Sequence, residues 1–151
     1  MRVAVCFRGQ LRTYKRTLEN LKRFFNTIDN GNATIDYFFH TWDDNLYFPT
    51  DRHKLSALEN NTYKLADYDE TFLKEQLNPK MYIVEDHKKY KKRSTTIEHW
   101  GALFYSIFHA NELKKKYERI NKFTYDLVIN TRFDLVFPID DHFPDFKLEE
   151  N

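Results

Sequence analysis

Short apolar runs alternate along the chain with longer stretches of helical period. Val3-Ala4-Val5-Cys6-Phe7 is continuously apolar, the pattern of a strand covered on both faces. From Leu11 the spacing changes. Leu11, Tyr14, Leu18, Leu21, Phe25 and Ile28 recur at steps of three and four, one stripe of an amphipathic helix. Asp29-Asn30-Gly31-Asn32 supplies the turn chemistry that ends it, and Ile35-Asp36-Tyr37-Phe38-Phe39 is a second strand-like run. Strand, helix and strand at this spacing predict a βαβ unit with a parallel pair.

Downstream, the pattern predicts a short helix over 70–77, stopped at Asn78-Pro79, and a third strand at Met81-Tyr82-Ile83-Val84. A long helix is expected from Thr95 to about Tyr117, opened by a threonine cap with Glu98 behind it. Its apolar residues Trp100, Leu103, Phe104, Ile107, Phe108 and Leu113 cover a broad face, which predicts deep burial. Tyr125-Asp126-Leu127-Val128-Ile129 is the clearest strand, and Leu135-Val136-Phe137 reads as another short one before Pro138. The stretch from His40 to about Asp67 has no period, as in functional or disordered segments. Alternation of this kind predicts an α/β domain over 1–151, Rossmann-like, with a mostly parallel sheet and flanking helices.

Composition removes several classes of function. A chain of 151 residues with 41% hydrophobic and 31% charged residues is one globular domain rather than a disordered segment. Its 24 basic and 23 acidic residues leave a net charge of +1, with no bulk pull toward nucleic acid or acidic lipid. The basic run from Lys88 to Arg93 therefore reads as a solvated loop. One cysteine excludes an internal disulfide and a cysteine-based zinc site, and Cys6 inside an apolar run reads as core. Three glycines exclude a glycine-rich phosphate loop. The histidines at 40, 53, 87, 99, 109 and 142 show no zinc-binding spacing; His99 and His109 read as exposed helix residues. No segment is long and apolar enough for a membrane span, and Met1 leads straight into a strand-like run. The expectation is a cytoplasmic protein without a secretory signal.

Three polar clusters remain, each at the end of an expected strand: Arg8-Gly9-Gln10-Leu11-Arg12, His40-Thr41-Trp42-Asp43-Asp44 and Asn130-Thr131-Arg132-Phe133-Asp134. Sheets of this class bind ligands beyond the carboxyl ends of their strands. Arg8 and Arg12 read either as surface cations or as forked donors for a phosphate near a helix start. His40 and Trp42 read either as a strand cap and a core ring or as a wall for a nucleobase. Arg132 and Asp134 lie between apolar runs, where charge is costly unless hydrated, paired or metal-bound, and this favours function there. One carboxylate with phosphate oxygens and water suits Mg²⁺ or Mn²⁺ rather than zinc, and His142 beside Asp140 and Asp141 is the accessory ligand to consider.

Together the three clusters resemble small GT-A-type glycosyltransferases, most of all the very short ones carried by phages of marine cyanobacteria. The residues that carry the resemblance are Val5 to Arg12, Asp36 to Trp42 and Tyr125 to Leu135. It implies a minimal GT-A-like fold and transfer of a hexose from a UDP-sugar, UDP-galactose for example, to a glycoside hydroxyl. It also implies Mn²⁺ or Mg²⁺ as cofactor and, for a phage-encoded chain, the cytoplasm of a host cell. Neither nucleic acid nor membrane is an implied partner. The family's Asp-x-Asp motif falls on Arg132-Phe133-Asp134, so Asp134 would hold metal while Arg132 meets diphosphate charge directly. The nucleotide would lie against Arg8, Gly9, Gln10 and Arg12, and its uracil against His40, Thr41 and Asp43. An inverting route needs a carboxylate base, for which Asp140, Asp141, Asp145 and Glu98 are the candidates. The alternatives are a non-catalytic nucleotide- or sugar-binding module of the same fold and, behind it, a metal-dependent phosphoesterase.

Overall fold

The first apolar run forms β1 (Arg2–Arg8), in which Val3 to Phe7 are all buried because both faces of the strand are covered. Then come α1 (Tyr14–Phe25), a 3-10 turn at Ile28–Gly31, β2 (Thr34–Trp42), α2 (Glu70–Leu77) and β3 (Met81–Glu85). The long helix α3 (Trp100–Asn121) and β4 (Leu127–Arg132) complete the order. This computed structural model describes residues 1–43, 68–86, 89, 100–138, 140–142 and 144. Asp44, Glu98, Asp145, His53, His87, His99, the start expected for the long helix and all of the basic run but Lys89 lie outside the described residues.

The four strands make one all-parallel sheet in the order β3-β2-β1-β4. From β1 the chain steps outward through β2 to β3, then crosses back to lay β4 on the other side of β1. Right-handed crossovers therefore set α1 and α2 on one face and α3 on the opposite one. The core divides accordingly. Val3, Val5, Phe7 and Phe39 pack with Leu18, Leu21 and Phe25 of α1 and with Leu73 and Leu77 of α2. Ala4, Cys6 and Phe38 pack with Ala110 and Leu113 of α3. The architecture is the Rossmann-like α/β class. Among the described residues no helix is long and apolar enough to cross a membrane.

Several boundaries differ from the expected ones, each for a local reason. The helix begins at Tyr14 rather than Leu11, because Arg12 takes a left-handed φ of 48° and the Tyr14 amide closes a turn onto the Leu11 carbonyl. Leu11 and Ile28 nevertheless bury with the helix stripe, so the apolar period runs past both of its ends. β2 continues through His40-Thr41-Trp42, all buried, and β4 is displaced toward Arg132. Leu135-Val136-Phe137 forms no strand: Phe137 stacks on Phe24 at 3.7 Å, and Asn20 bonds both main-chain groups of Phe137. Nor is α3 deeply buried. Ser106, Ala110 and Leu113 face the sheet, whereas Phe104 and Phe108 are 63% and 58% exposed.

Candidate functional site

Strand order reverses between β1 and β4, and the crevice at such a reversal is where open parallel sheets take ligands. Arg8 at the end of β1 is in register with Arg132 on one side and His40 on the other. The next residue of β4, Phe133, turns into the core, fully buried and stacked on Phe7 with 4.9 Å between centroids. Its carbonyl also accepts from the Thr17 hydroxyl of α1. With Phe133 anchored, Arg132 and Asp134 meet at the rim. Arg132 Nε donates to Asp134 Oδ1 at 2.8 Å and Nη2 to Oδ2 at 2.6 Å, a planar fork. Arg12 Nη1 adds a third bond to Oδ2 at 3.1 Å.

Arg8 completes the cluster. Burial lowers its pKa, the Arg132 charge lowers it further, and Asp134 opposes both. Its Nε is buried with no hydrogen-bond partner among the described residues, a donor that calls for an acceptor. Among the described residues three guanidiniums thus gather at one carboxylate, and the charge of these four side chains is positive. The backbone adds to this. Gly9 has φ 85°, and a Cβ there would meet nothing within 4 Å, so the glycine answers a backbone angle beside open space. Arg12 holds a left-handed φ without being glycine, at a cost of about 1–2 kcal/mol, and strain of this kind collects at ligand sites. α1 starts two residues later with no side-chain cap and no acidic residue in its first turn, so its positive end meets no carboxylate of its own there.

Donor chemistry decides what the cluster fits. Both Asp134 oxygens already accept from guanidinium nitrogens, and the side chain is only 10% exposed. Among the described residues no group of three or more metal-ligating side chains exists. One carboxylate ringed by cations suits an incoming anion and does not suit a resident divalent ion. No hydrogen bond or ion pair among the described residues joins Asp140, Asp141 or His142 to it. The tail follows α1 away from the site, with the Pro138 carbonyl bonded to Arg23. Arg23 lies six residues, about 9 Å of helix, beyond the Thr17 that marks Phe133. All three are exposed there.

His40 and Thr41 are corrected most. Both are fully buried and their polar atoms point inward, so neither offers a wall to uracil. His40 Nδ1 lies 2.8 Å from Ser106 Oγ, and Nε2 lies 2.8 Å from Glu85 Oε2. The Thr41 hydroxyl donates to the Gly9 carbonyl at 2.8 Å. Trp42 is buried beside them, whereas Asp43 is exposed, its amide bonded to the Glu85 carbonyl. Gln10 is half-buried in the loop between Gly9 and Arg12. His109, expected on the outside, is half-buried and packs on His40 and Tyr105. Ser106, Glu85 and Tyr105 were not singled out by the sequence. The one available signal was Ser106 itself, a lone hydroxyl within Phe104-Tyr105-Ser106-Ile107-Phe108.

The proton inventory of this network follows from its pKa directions. Burial lowers the His40 pKa and outweighs the hydrogen bond to Glu85 that raises it. Burial raises the Glu85 carboxyl, but hydrogen bonds from His40 and Tyr105 outweigh that, and the net direction is down. At neutral pH the imidazole is neutral, donates Nε2–H to ionised Glu85 and accepts at Nδ1 from Ser106. The unfolded chain then binds more protons just below the ordinary values of 6.5 and 4.5. Stability is therefore full above 6.5 and declines as pH falls through each window. Melts at stepped pH should record that decline, and His40→Asn should flatten its upper part. Identical slopes for parent and variant would assign the titration to another group.

Comparison with protein-family models, with curated proteins and with solved structures finds no significant match for this chain.

Proposed function

We propose that the chain binds a nucleoside diphosphate at the β1–β4 crevice and serves as a minimal GT-A-type glycosyltransferase, moving a hexose from a UDP-sugar to a glycoside hydroxyl. One observation carries the reading: Arg8, Arg12 and Arg132 gather where strand order reverses, with Asp134 their only carboxylate among the described residues. A diphosphate would take the excess positive charge, and the forked donors match its oxygens. GT-A identity, UDP and the hexose rest on the sequence resemblance alone.

The chemistry balances simply. The acceptor oxygen forms a bond to the anomeric carbon, the bond from that carbon to the phosphate oxygen breaks, and UDP leaves with the electron pair. The arginines stabilise that developing negative charge, and the hydroxyl proton passes to a base. Of the four expected bases, Asp140 and Asp141 follow α1 away from the cluster, which leaves Glu98 and Asp145 to test. Mn²⁺ or Mg²⁺ would be carried in by the diphosphate, since the described residues do not hold it alone. A nucleotide-sugar panel with simple glycosides, run in Mn²⁺ and in chelator, tests the activity by UDP release and by transfer. Arg132→Ala should weaken UDP binding in chelator by about tenfold or more, the worth of a lost charge-assisted bond. Unchanged affinity would make the cluster structural.

The absence of a carboxylate base among the described residues at the cluster favours a second reading, a nucleotide- or sugar-binding module without catalysis. UDP binding in a chain that transfers no sugar from any donor would select it.

A further inference from the structure

Behind the arginine cluster, three elements converge on the backbone of one residue. The Gly9 amide donates to Ser106 Oγ of α3 at 2.8 Å, and the Gly9 carbonyl accepts from Thr41 of β2 at 2.8 Å. Ser106 in turn meets His40 of β2, and His40 meets Glu85 of β3. Arg8 and Arg12, the loop's two cations, lie on either side of this held peptide. We infer that Ser106, His40 and Glu85 form a positioning relay that sets the Gly9 loop, and through it the two arginines, for a diphosphate; the inference rests on the diphosphate reading of that site.

The relay works through hydrogen-bond directions. Ionised Glu85 accepts from Nε2–H and so fixes the His40 tautomer with Nδ1 as acceptor. Nδ1 then takes the single Ser106 proton at 2.8 Å, in preference to the longer 3.2 Å contact from Ser106 to the His40 carbonyl. With its proton committed, Ser106 presents a lone pair to the Gly9 amide. Each member has one assigned role, and only the last touches the loop. Plain packing would not need this arrangement. Apolar residues fill such space without burying a hydroxyl and an imidazole, whereas a fully satisfied polar network selects one loop geometry. Gly9 sits at φ 85° with open space over its Cα. Glycine takes this angle without strain and many others as readily, so the bonds from Ser106 and Thr41 are what select it. Ser106 and His40 are fully buried, and Glu85, 34% exposed, meets the loop only through His40, so the three act on the loop by positioning it.

Asparagine and glutamine separate the two halves of the imidazole. His40→Asn places an amide oxygen where Nδ1 was and keeps the acceptor for Ser106, but loses Glu85. His40→Gln keeps the donor to Glu85 and loses the acceptor for Ser106. The full chain is titrated calorimetrically with UDP and with inorganic pyrophosphate, and exchange of the Gly9 amide is followed by nuclear magnetic resonance without ligand. Ser106→Ala and His40→Gln should speed Gly9 exchange and weaken both ligands by about tenfold each. His40→Asn should stay near the parent in both readouts, although its thermal midpoint falls as far as that of His40→Gln. If Asn and Gln lose binding equally, or Gly9 exchange is unmoved in Ser106→Ala, the relay is overturned. A parent that binds neither UDP nor pyrophosphate overturns the diphosphate reading instead, and Gly9 exchange alone then decides the relay.

Discussion

Phe133→Ala is expected to remove about 3–5 kcal/mol of folding stability, the usual range for emptying a buried phenylalanine site. The residue is fully buried, stacks on Phe7 and meets Phe39 edge-on at 5.9 Å. It therefore joins β4 to the aromatic core between the sheet and α1. No neighbour can fill the space cheaply, because Phe7, Phe25 and Phe39 are themselves held by strand or helix backbones. The same change should weaken UDP binding, since Phe133 is the anchor that brings Arg132 and Asp134 to the rim. Phe133→Leu, which keeps much of the volume, should lose less in both respects. Denaturant unfolding gives the answer. A loss below about 1 kcal/mol in the alanine variant would mean that the end of β4 is not fastened by this ring.

What the sequence disclosed and what it hid divide along the range of the interactions. Continuous apolar runs and three-four periodicity are local, and they located β1, α1, α2 and β3 within a few residues. Satisfaction of polar groups is not local. His40 read as a strand end because a histidine in a buried strand is costly by itself, and the partners that relieve the cost lie 45 and 66 residues away. The tail misled for a similar reason. Leu135-Val136-Phe137 has strand composition, but its register is set by Asn20 and Phe24 of α1, which no periodicity announces. On α3 the apolar face is wider than a four-stranded sheet covers, so burial inferred from composition overshot at Phe104 and Phe108. The arginines were legible as residues at strand ends. Their convergence on one carboxylate was not, because it depends on β4 docking beside β1 rather than beside β3.

Asp134→Asn should tighten UDP binding in chelator by about tenfold, and leave any further tightening by Mn²⁺ in place. In the ligand-free chain the carboxylate occupies Arg12 and Arg132 at 2.6–3.1 Å, so an arriving diphosphate must compete with it for the same donors. Asparagine keeps the shape and gives up the charge. Hydrogen bonds to charged groups are worth about 1.5–3 kcal/mol. The arginine side chains are 35% and 42% exposed, so solvent screening brings the expected gain to about 1.4 kcal/mol, or tenfold. A metal-ligand role for Asp134 predicts a different pattern, in which the variant binds UDP no better in chelator and loses the Mn²⁺ effect. Both roles can hold in one chain, and the two buffers separate them: chelator reads the competition with arginine, while Mn²⁺ reads the carboxylate as ligand. Thermal melts of the variant control for stability, since removing the charge leaves two guanidiniums beside each other at the rim. Weaker binding in chelator with an unchanged melt would mean that Asp134 organises the arginines rather than competing for them. The excess of positive charge would then no longer measure what the crevice binds.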